Sequence, residues 1–202
     1  MNKGILSILV LATNGVLAQS SQSRSFTQGY IVQQNGDTLK GNMAMLSEEE
    51  SCAHIDFKKN NLDTVTVFTS DNVQLYKREN SVYVSKRVTD KKTAFVKSIE
   101  KGRINLYRYS YVYTKFGAAG EKTIDKSGPV EIQHTSKPID ITYDYYLEKP
   151  GGDFKKITRQ NQKGELWTFF KGDDEMVKKI KNTKIEYDEI PALIKEYNTS
   201  HK

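Results

Sequence analysis

Gly29-Tyr30-Ile31-Val32-Gln33-Gln34-Asn35-Gly36-Asp37-Thr38-Leu39-Lys40-Gly41 is the stretch that decides the fold class of this chain. Two β-prone runs flank an Asn-Gly pair, which accepts the positive φ angles of a type I′ turn, and the twist of that turn matches paired strands. The stretch predicts a β-hairpin. Outward from it, short runs rich in β-branched and aromatic residues recur: Thr64–Phe68, Val73–Lys77, Val82–Val88, Ala94–Ile99, Ile104–Thr114, Glu131–His134, Ile139–Glu148 and Phe154–Arg159. Cys52 to Phe57 alternates polar and apolar and predicts one more strand. Turn signals at Glu100-Lys101-Gly102-Arg103 and Pro150-Gly151-Gly152 separate these runs, and Gly117 to Gly128 reads as a polar surface loop. Hairpin signals at such short spacing favour antiparallel pairing.

The pattern changes after Phe170. Gly172-Asp173-Asp174 offers an N-cap, and Met176, Val177 and Ile180 share one helical face. Asp188 can cap a second helix, with Pro191 in its first turn and Ile190, Leu193, Ile194 and Tyr197 as an apolar stripe. Helices this short need a sheet on which to bury their apolar faces. The expected fold is mainly β (β-rich α+β). An antiparallel curved sheet or barrel-like β domain spans residues 26–170, a segment of two short helices packs on it over 171–198, and 199–202 is a tail.

The first eighteen residues read as a secretory signal peptide rather than as part of the fold. Lys3 supplies the positive n-region, Ile5 to Ala12 an apolar core, and Val16-Leu17-Ala18 the small residues of a cleavage site after Ala18. Thr13-Asn14-Gly15 breaks the run well short of the roughly 20 apolar residues that a membrane-spanning helix needs. Gln19 follows the expected cut where a lipid-anchored bacterial protein would carry Cys, and 19–25 reads as a flexible linker. Cleavage leaves 184 of the 202 residues, enough to bury a core, with no later span apolar enough to cross a membrane. Cys52 is the only cysteine, so no intramolecular disulfide forms, which suits a bacterial envelope, periplasmic or secreted, better than an animal extracellular space. The net charge of +6 falls to +5 with loss of Lys3, and the surplus is spread along the chain. A nucleic-acid binder concentrates its charge on a stripe or helix, so no nucleic-acid partner is expected, whereas weak attraction to anionic envelope polymers fits the surplus.

Four groups of residues bear on chemistry. Tyr107, Tyr109, Tyr111 and Tyr113 share one strand face, and such a ladder offers flat apolar rings with polar tips, a platform for sugars or a peptide. It is the ligand-binding candidate, and burial of the rings with satisfied hydroxyls would defeat it. Cys52, His54 and Asp56 are metal-competent and alternate. Same-face neighbours on one strand lie about 7 Å apart, however, and a tetrahedral site draws ligands from several segments, so the plain reading is a solvent face opposite Ala53, Ile55 and Phe57. Asp140 and Asp144 lie opposite the stripe Ile139, Ile141, Tyr143, Tyr145 and Leu147, and read as solvated acids rather than the paired carboxylates of a glycosidase. Gly117-Ala118-Ala119-Gly120-Glu121-Lys122-Thr123 fails as a phosphate-binding loop because its glycines are too close and Glu121 stands where lysine belongs. His134 and His201 are isolated. No catalytic set, metal site or cofactor motif emerges.

The export signal followed by Gly29-Tyr30-Ile31-Val32 and Asn35-Gly36-Asp37-Thr38-Leu39-Lys40-Gly41 resembles a group of secreted, uncharacterised proteins from Bacteroidota, in which a GYI…NGDT…G hairpin opens the mature domain. Phe95-Val96, Gly102, Leu106-Tyr107, Tyr145-Tyr146-Leu147 and Tyr197-Asn198 are similar to the same pattern. The resemblance implies compartment and architecture and transfers no functional residue. The expected function is a non-enzymatic binding or interaction module of the bacterial cell envelope, with an envelope protein or glycan as partner. Two alternatives are a hydrolase of envelope polymers that assembles acids with His134 or His54 from distant segments, and a structural or stress-linked envelope protein without a small ligand.

Overall fold

The computed structural model describes residues 24–113, 140–152 and 154–201. Among them, ten strands form one antiparallel sheet that is curved and does not close into a barrel. The strands β1 (Phe26–Gln33), β2 (Thr38–Ala44), β3 (Ile55–Lys58) and β4 (Thr66–Phe68) make one meander, with helix α1 (Glu48–Ala53) between β2 and β3. A second meander consists of β5 (Val73–Arg78), β6 (Ser81–Thr89), β7 (Lys92–Glu100), β8 (Asn105–Tyr113), β9 (Asp140–Glu148) and β10 (Phe154–Ile157). In space the order is β10-β9-β8-β7-β6-β5-β1-β2-β3-β4, so the two meanders meet along a single seam of β1 against β5. Three helices follow: α2 (Gln162–Phe169), α3 (Asp174–Asn182) and α4 (Ile190–Ser200), the last entered through a 3-10 turn at Tyr187–Glu189. No helix among the described residues is long and apolar enough to cross a membrane.

The opening hairpin forms where the sequence places it, but with a different turn. Gly36 has φ 91°, whereas Asn35 does not enter the left-handed region, so both centres of a type I′ turn are not present. Instead the Gly36 amide donates to the Gln33 carbonyl at 3.0 Å and the Gln33 amide to the Asp37 carbonyl at 2.8 Å. This is a three-residue loop that ends on a left-handed glycine. Asn35 contributes through its side chain, whose Oδ1 accepts from the Asp37 amide at 3.0 Å.

Helix α1 corrects the expectation of a strand from Cys52. Ser47 and Glu50 form a capping box, Glu48, Glu49 and Glu50 fill the first turn, and Cys52 lies inside the helix. The helix clasps the two meanders together. Tyr76 of β5 donates its hydroxyl to the Ser51 carbonyl at 2.6 Å, and Arg78 reaches the Ala44 and Leu46 carbonyls and the Ser51 hydroxyl. Glu48 accepts from Arg108 Nε at 2.6 Å, Ser110 Oγ at 2.6 Å and Lys97 Nζ at 3.1 Å, all on β7 and β8. Burial alone would raise the Glu48 pKa, but these hydrogen bonds outweigh it and hold the carboxyl at about 2. Beneath the helix, Tyr76 stacks on Tyr83 at 4.7 Å and meets Phe95 edge-on at 5.0 Å.

The C-terminal helices cover one face of the β8–β10 end. Leu106, Tyr145, Leu147 and Ile157 form that face, and Leu166, Phe170, Met176, Ile180, Ile190 and Ile194 pack on it. Tyr145 and Leu147 are thus core, as their stripe suggests, while Ile141 of the same stripe is exposed and Ile139 falls outside the described residues. Asp173 caps α3 by accepting from the Met176 amide at 3.0 Å. Asn198 pins α4 to the start of β8, accepting from the Ile104 amide at 2.9 Å and donating to the Ile104 carbonyl at 2.8 Å. Two differences from the sequence reading stand out. A helix already occupies Gln162–Phe169, inside the span expected to be all β, and three helices rather than two close the sheet. Helix α2 carries Gly164 in its interior, and its N-cap Asn161 makes no side-chain capping hydrogen bond, so its start is only weakly marked.

Candidate binding site

The tyrosine ladder is built as expected, on β8 with Tyr107 and Tyr109 opposite Tyr146 and Asp144 of β9. It does not present an open platform at its first two rungs. Tyr107 and Tyr109 are buried, because the sheet curls until β6 and β10 roof this face. The Phe154 ring packs against Tyr107 at 5.7 Å and stacks on Tyr146 at 4.6 Å. Lys86 lies over both Tyr107 and Phe154 and pairs with Glu148 at 2.5 Å. Both hydroxyls are satisfied. Tyr107 donates to Glu148 at 2.8 Å, and Tyr109 accepts from Lys92 Nζ at 2.7 Å. Burial, reinforced by the Glu148 carboxylate, pushes the Tyr107 hydroxyl far above its ordinary range. Tyr111 is half-buried and stacks on Tyr109 at 5.3 Å. Tyr113 pairs through its backbone with Asp140.

The other candidates are dispersed. Cys52 is buried in α1, and desolvation pushes its thiol up to about 11, the opposite of an activated nucleophile. His54 ends the helix, and its Nε2 lies 3.5 Å from Asp56 Oδ1. Asp56 is not on a solvent face: it is buried and paired with Arg24. Asp144 is likewise buried rather than solvated, and Lys156 of β10 neutralises it at 2.7 Å. His201 stacks on Tyr197 at 4.2 Å. Residues 117–128, His134 and the signal segment 1–18 lie outside the described residues. Among the described residues, no three His, Cys, Asp or Glu side chains are grouped closely enough to hold a metal ion.

The groups that do converge were not singled out by sequence. In the register of the sheet, Tyr30 of β1 sits directly between Lys40 of β2 and Lys77 of β5. Because cross-strand partners share a face, one phenol ring is flanked by two ammonium groups. Lys59, which follows β3, and Asn42 complete the wall of an open depression of about 570 Å³. Among the described residues none of the three lysines has a carboxylate within ion-pair distance. The one acid among the described residues that line the depression is Glu79, at φ 51° the only non-glycine residue described in the left-handed region. It is the first residue of the two-residue turn between Arg78 and Ser81, where hairpin geometry calls for positive φ at a cost of roughly 1–2 kcal/mol for a non-glycine residue.

Two glycines lie on the face opposite Tyr30. Gly29 and Gly41 are cross-strand partners, and a Cβ on Gly29 would stand 2.3 Å from the Lys77 carbonyl oxygen, on Gly41 2.4 Å from that of Lys58. With only hydrogen at both, β5 and the end of β3 approach the hairpin closely. The signal was present in the sequence, since Gly29-Tyr30 and Lys40-Gly41 are equidistant from the turn. The lysine from β5 was not foreseeable without the seam.

A second basic recess of about 410 Å³ lies beside α3 and α4, with Arg103, Lys149 and Lys171 over Phe170 and Tyr197. Asp173 shares that recess, and its carboxyl is held low mainly by the α3 cap, so a negative charge already sits among those cations. Each site thus sets three cations against one carboxylate, and of the two the Tyr30 depression is the more open to solvent. Comparison with known proteins returns no matching family model, no matching curated protein and no matching solved structure.

Proposed function

We propose that this chain is an exported, non-enzymatic binding module of the bacterial cell envelope whose ligand is an anionic glycan held at the Tyr30 depression. The observation that carries the reading is Tyr30 flanked across three strands by Lys40 and Lys77, with Lys59 on the rim and, among the described residues, no carboxylate paired to any of them. A phenol ring offers a stacking face for a sugar ring, and the ammonium groups around it attract carboxylate or sulfate substituents along a polymer. Each contact is weak at an exposed site, so affinity comes from repetition along the chain of the ligand and falls steeply with salt.

Polygalacturonate, an acidic glycan, and dextran, a neutral one, test the reading by calorimetry or by retardation in an affinity gel. Polygalacturonate should bind at low salt and dextran should not. Lys40→Glu with Lys77→Glu should weaken the binding about tenfold or more, while Arg103→Glu with Lys171→Glu should change it little. Equal retention of both glycans, or loss of binding only with the second pair, would overturn it. Burial and hydrogen bonding of Tyr107 and Tyr109 favour this depression over the tyrosine ladder as the binding surface.

A further inference from the structure

The two edges of the sheet are finished differently. At one edge, β10 reads Phe154-Lys155-Lys156-Ile157, with exposed lysines at its centre. Lysine on an edge strand is a common guard against further strand pairing. At the other edge, β4 has no such guard. Its three residues Thr66–Phe68 are preceded by Thr64 and Val65, giving Thr-Val-Thr-Val-Phe, five uncharged residues of high β propensity. Val65 is 45 % exposed, Val67 57 % and nearby Leu62 99 %. The pairing of Ile55 with Phe68 and of Phe57 with Thr66 leaves the opposite side of β4 without a strand neighbour among the described residues.

We infer that β4 pairs antiparallel with β4 of a second copy of this chain about a two-fold axis, joining the two sheets into one. A charged strand would meet no counter-charge within 64–68, whereas an identical uncharged strand matches it. Side-chain pairing selects the register. A two-fold axis through Val67 would set only one valine against its own copy, with Val65 opposite Thr69, beyond the strand. An axis through Thr66 instead sets Val65 against Val67, giving two β-branched pairs on one face. On the other face, this register brings Phe68 of the second copy opposite Thr64. Thr64 is a wall of an open pocket of about 720 Å³ in which Leu39, Phe57 and Phe68 stand beside Lys40, Lys59 and Asp63, so each copy supplies an aromatic ring to the apolar side of the other's pocket. Such an interface is isologous and closes at two copies, because both free edges are consumed. The pairing also lengthens β4, since Thr64 and Val65 gain a strand to bond.

Sedimentation equilibrium of the purified chain reads the association directly, and cysteine substitution reads the register. The chain should show a concentration-dependent monomer–dimer equilibrium. Val67→Lys should weaken it by about tenfold or more with an unchanged melting temperature, as befits an exposed side chain. Thr66→Cys should give a covalent dimer on mild oxidation, because residue 66 faces its own copy, while Thr64→Cys, opposite Phe68, should not; Cys52 is buried and does not compete. A chain that stays monomeric to millimolar concentration would overturn the proposal and leave β4 to a strand from a different protein. A dimer insensitive to Val67→Lys, or cross-linked equally through residues 64 and 66, would overturn it as well.

Discussion

The two ends of the sheet put the same β material to different uses. At the β8–β10 end, three helices cover one face, the curled sheet roofs the other with Phe154 and Lys86, and charged groups such as Asp144 and Glu148 are neutralised inside the structure. At the β1–β4 end, among the described residues, Lys40, Lys59 and Lys77 have no ion-pair partner and the outermost strand has no further strand beside it. Burial and ion pairing stabilise; open cations and an unpaired edge do not. The difference separates a part of the molecule that holds the fold from a part left free to meet something else. Between them α1 is the joint, built from the first meander and bonded to the second.

Substitutions at the joint, the covered end and the bare end should therefore rank in that order. Glu48→Ala removes the acceptor shared by Arg108, Ser110 and Lys97 and strands two half-buried cations, which should cost about 2–3 kcal/mol in denaturant unfolding. The same group gives a signature in acid. Its folded-state pKa of about 2 lies below the ordinary 4.5, so its stabilisation is complete above about 4.5 and is lost as the pH falls towards 2. Glu48→Gln should flatten the stability profile in that window, and an unchanged acid slope would show that the clasp is held by packing alone. At the covered end, Asn198→Ala leaves the buried Ile104 amide and carbonyl unpaired and should cost about 1–2 kcal/mol, with faster hydrogen exchange in α4 than in β1 or β2. At the bare end, Glu79→Gly relieves a left-handed residue at the expense of added freedom in the unfolded chain, for a net gain of about half a kcal/mol. It also removes the one acid among the described residues of the depression, so polygalacturonate affinity should rise.

How much of this was legible in the sequence depends on whether a feature is local. The opening hairpin, the antiparallel strands and the helices α3 and α4 follow from turn residues, alternation and caps that lie within a few positions of each other. Helix α1 was legible too, because Ser47-Glu48-Glu49-Glu50 spells a capping box, but the apolar alternation of Ala53, Ile55 and Phe57 outweighed it and drew the strand back to Cys52. Tyr107 and Tyr109 do share one face of one strand, as their alternation indicates. What sequence lacks is curvature, and it is the curl of β6 and β10 over that face that buries them. The depression fails to show for a similar reason: Tyr30 and Lys40 are hairpin neighbours, but Lys77 reaches them only through pairing between strands more than forty residues apart.

That seam has a consequence for how the chain acquires its shape. Every other strand pairing in the described sheet joins consecutive strands, so each meander can zip locally, one hairpin at a time. The β1–β5 ladder demands the longest closure, from Gln33 to Val73, longer than that from Tyr113 to Asp140 between β8 and β9, and none of its hydrogen bonds is gained until both halves are nearly in place. The ten strands should thus behave in time as two cooperative units that dock late. The docking event is also what first sets Lys77 beside Tyr30, so the anion-attracting surface exists only in chains that have finished folding.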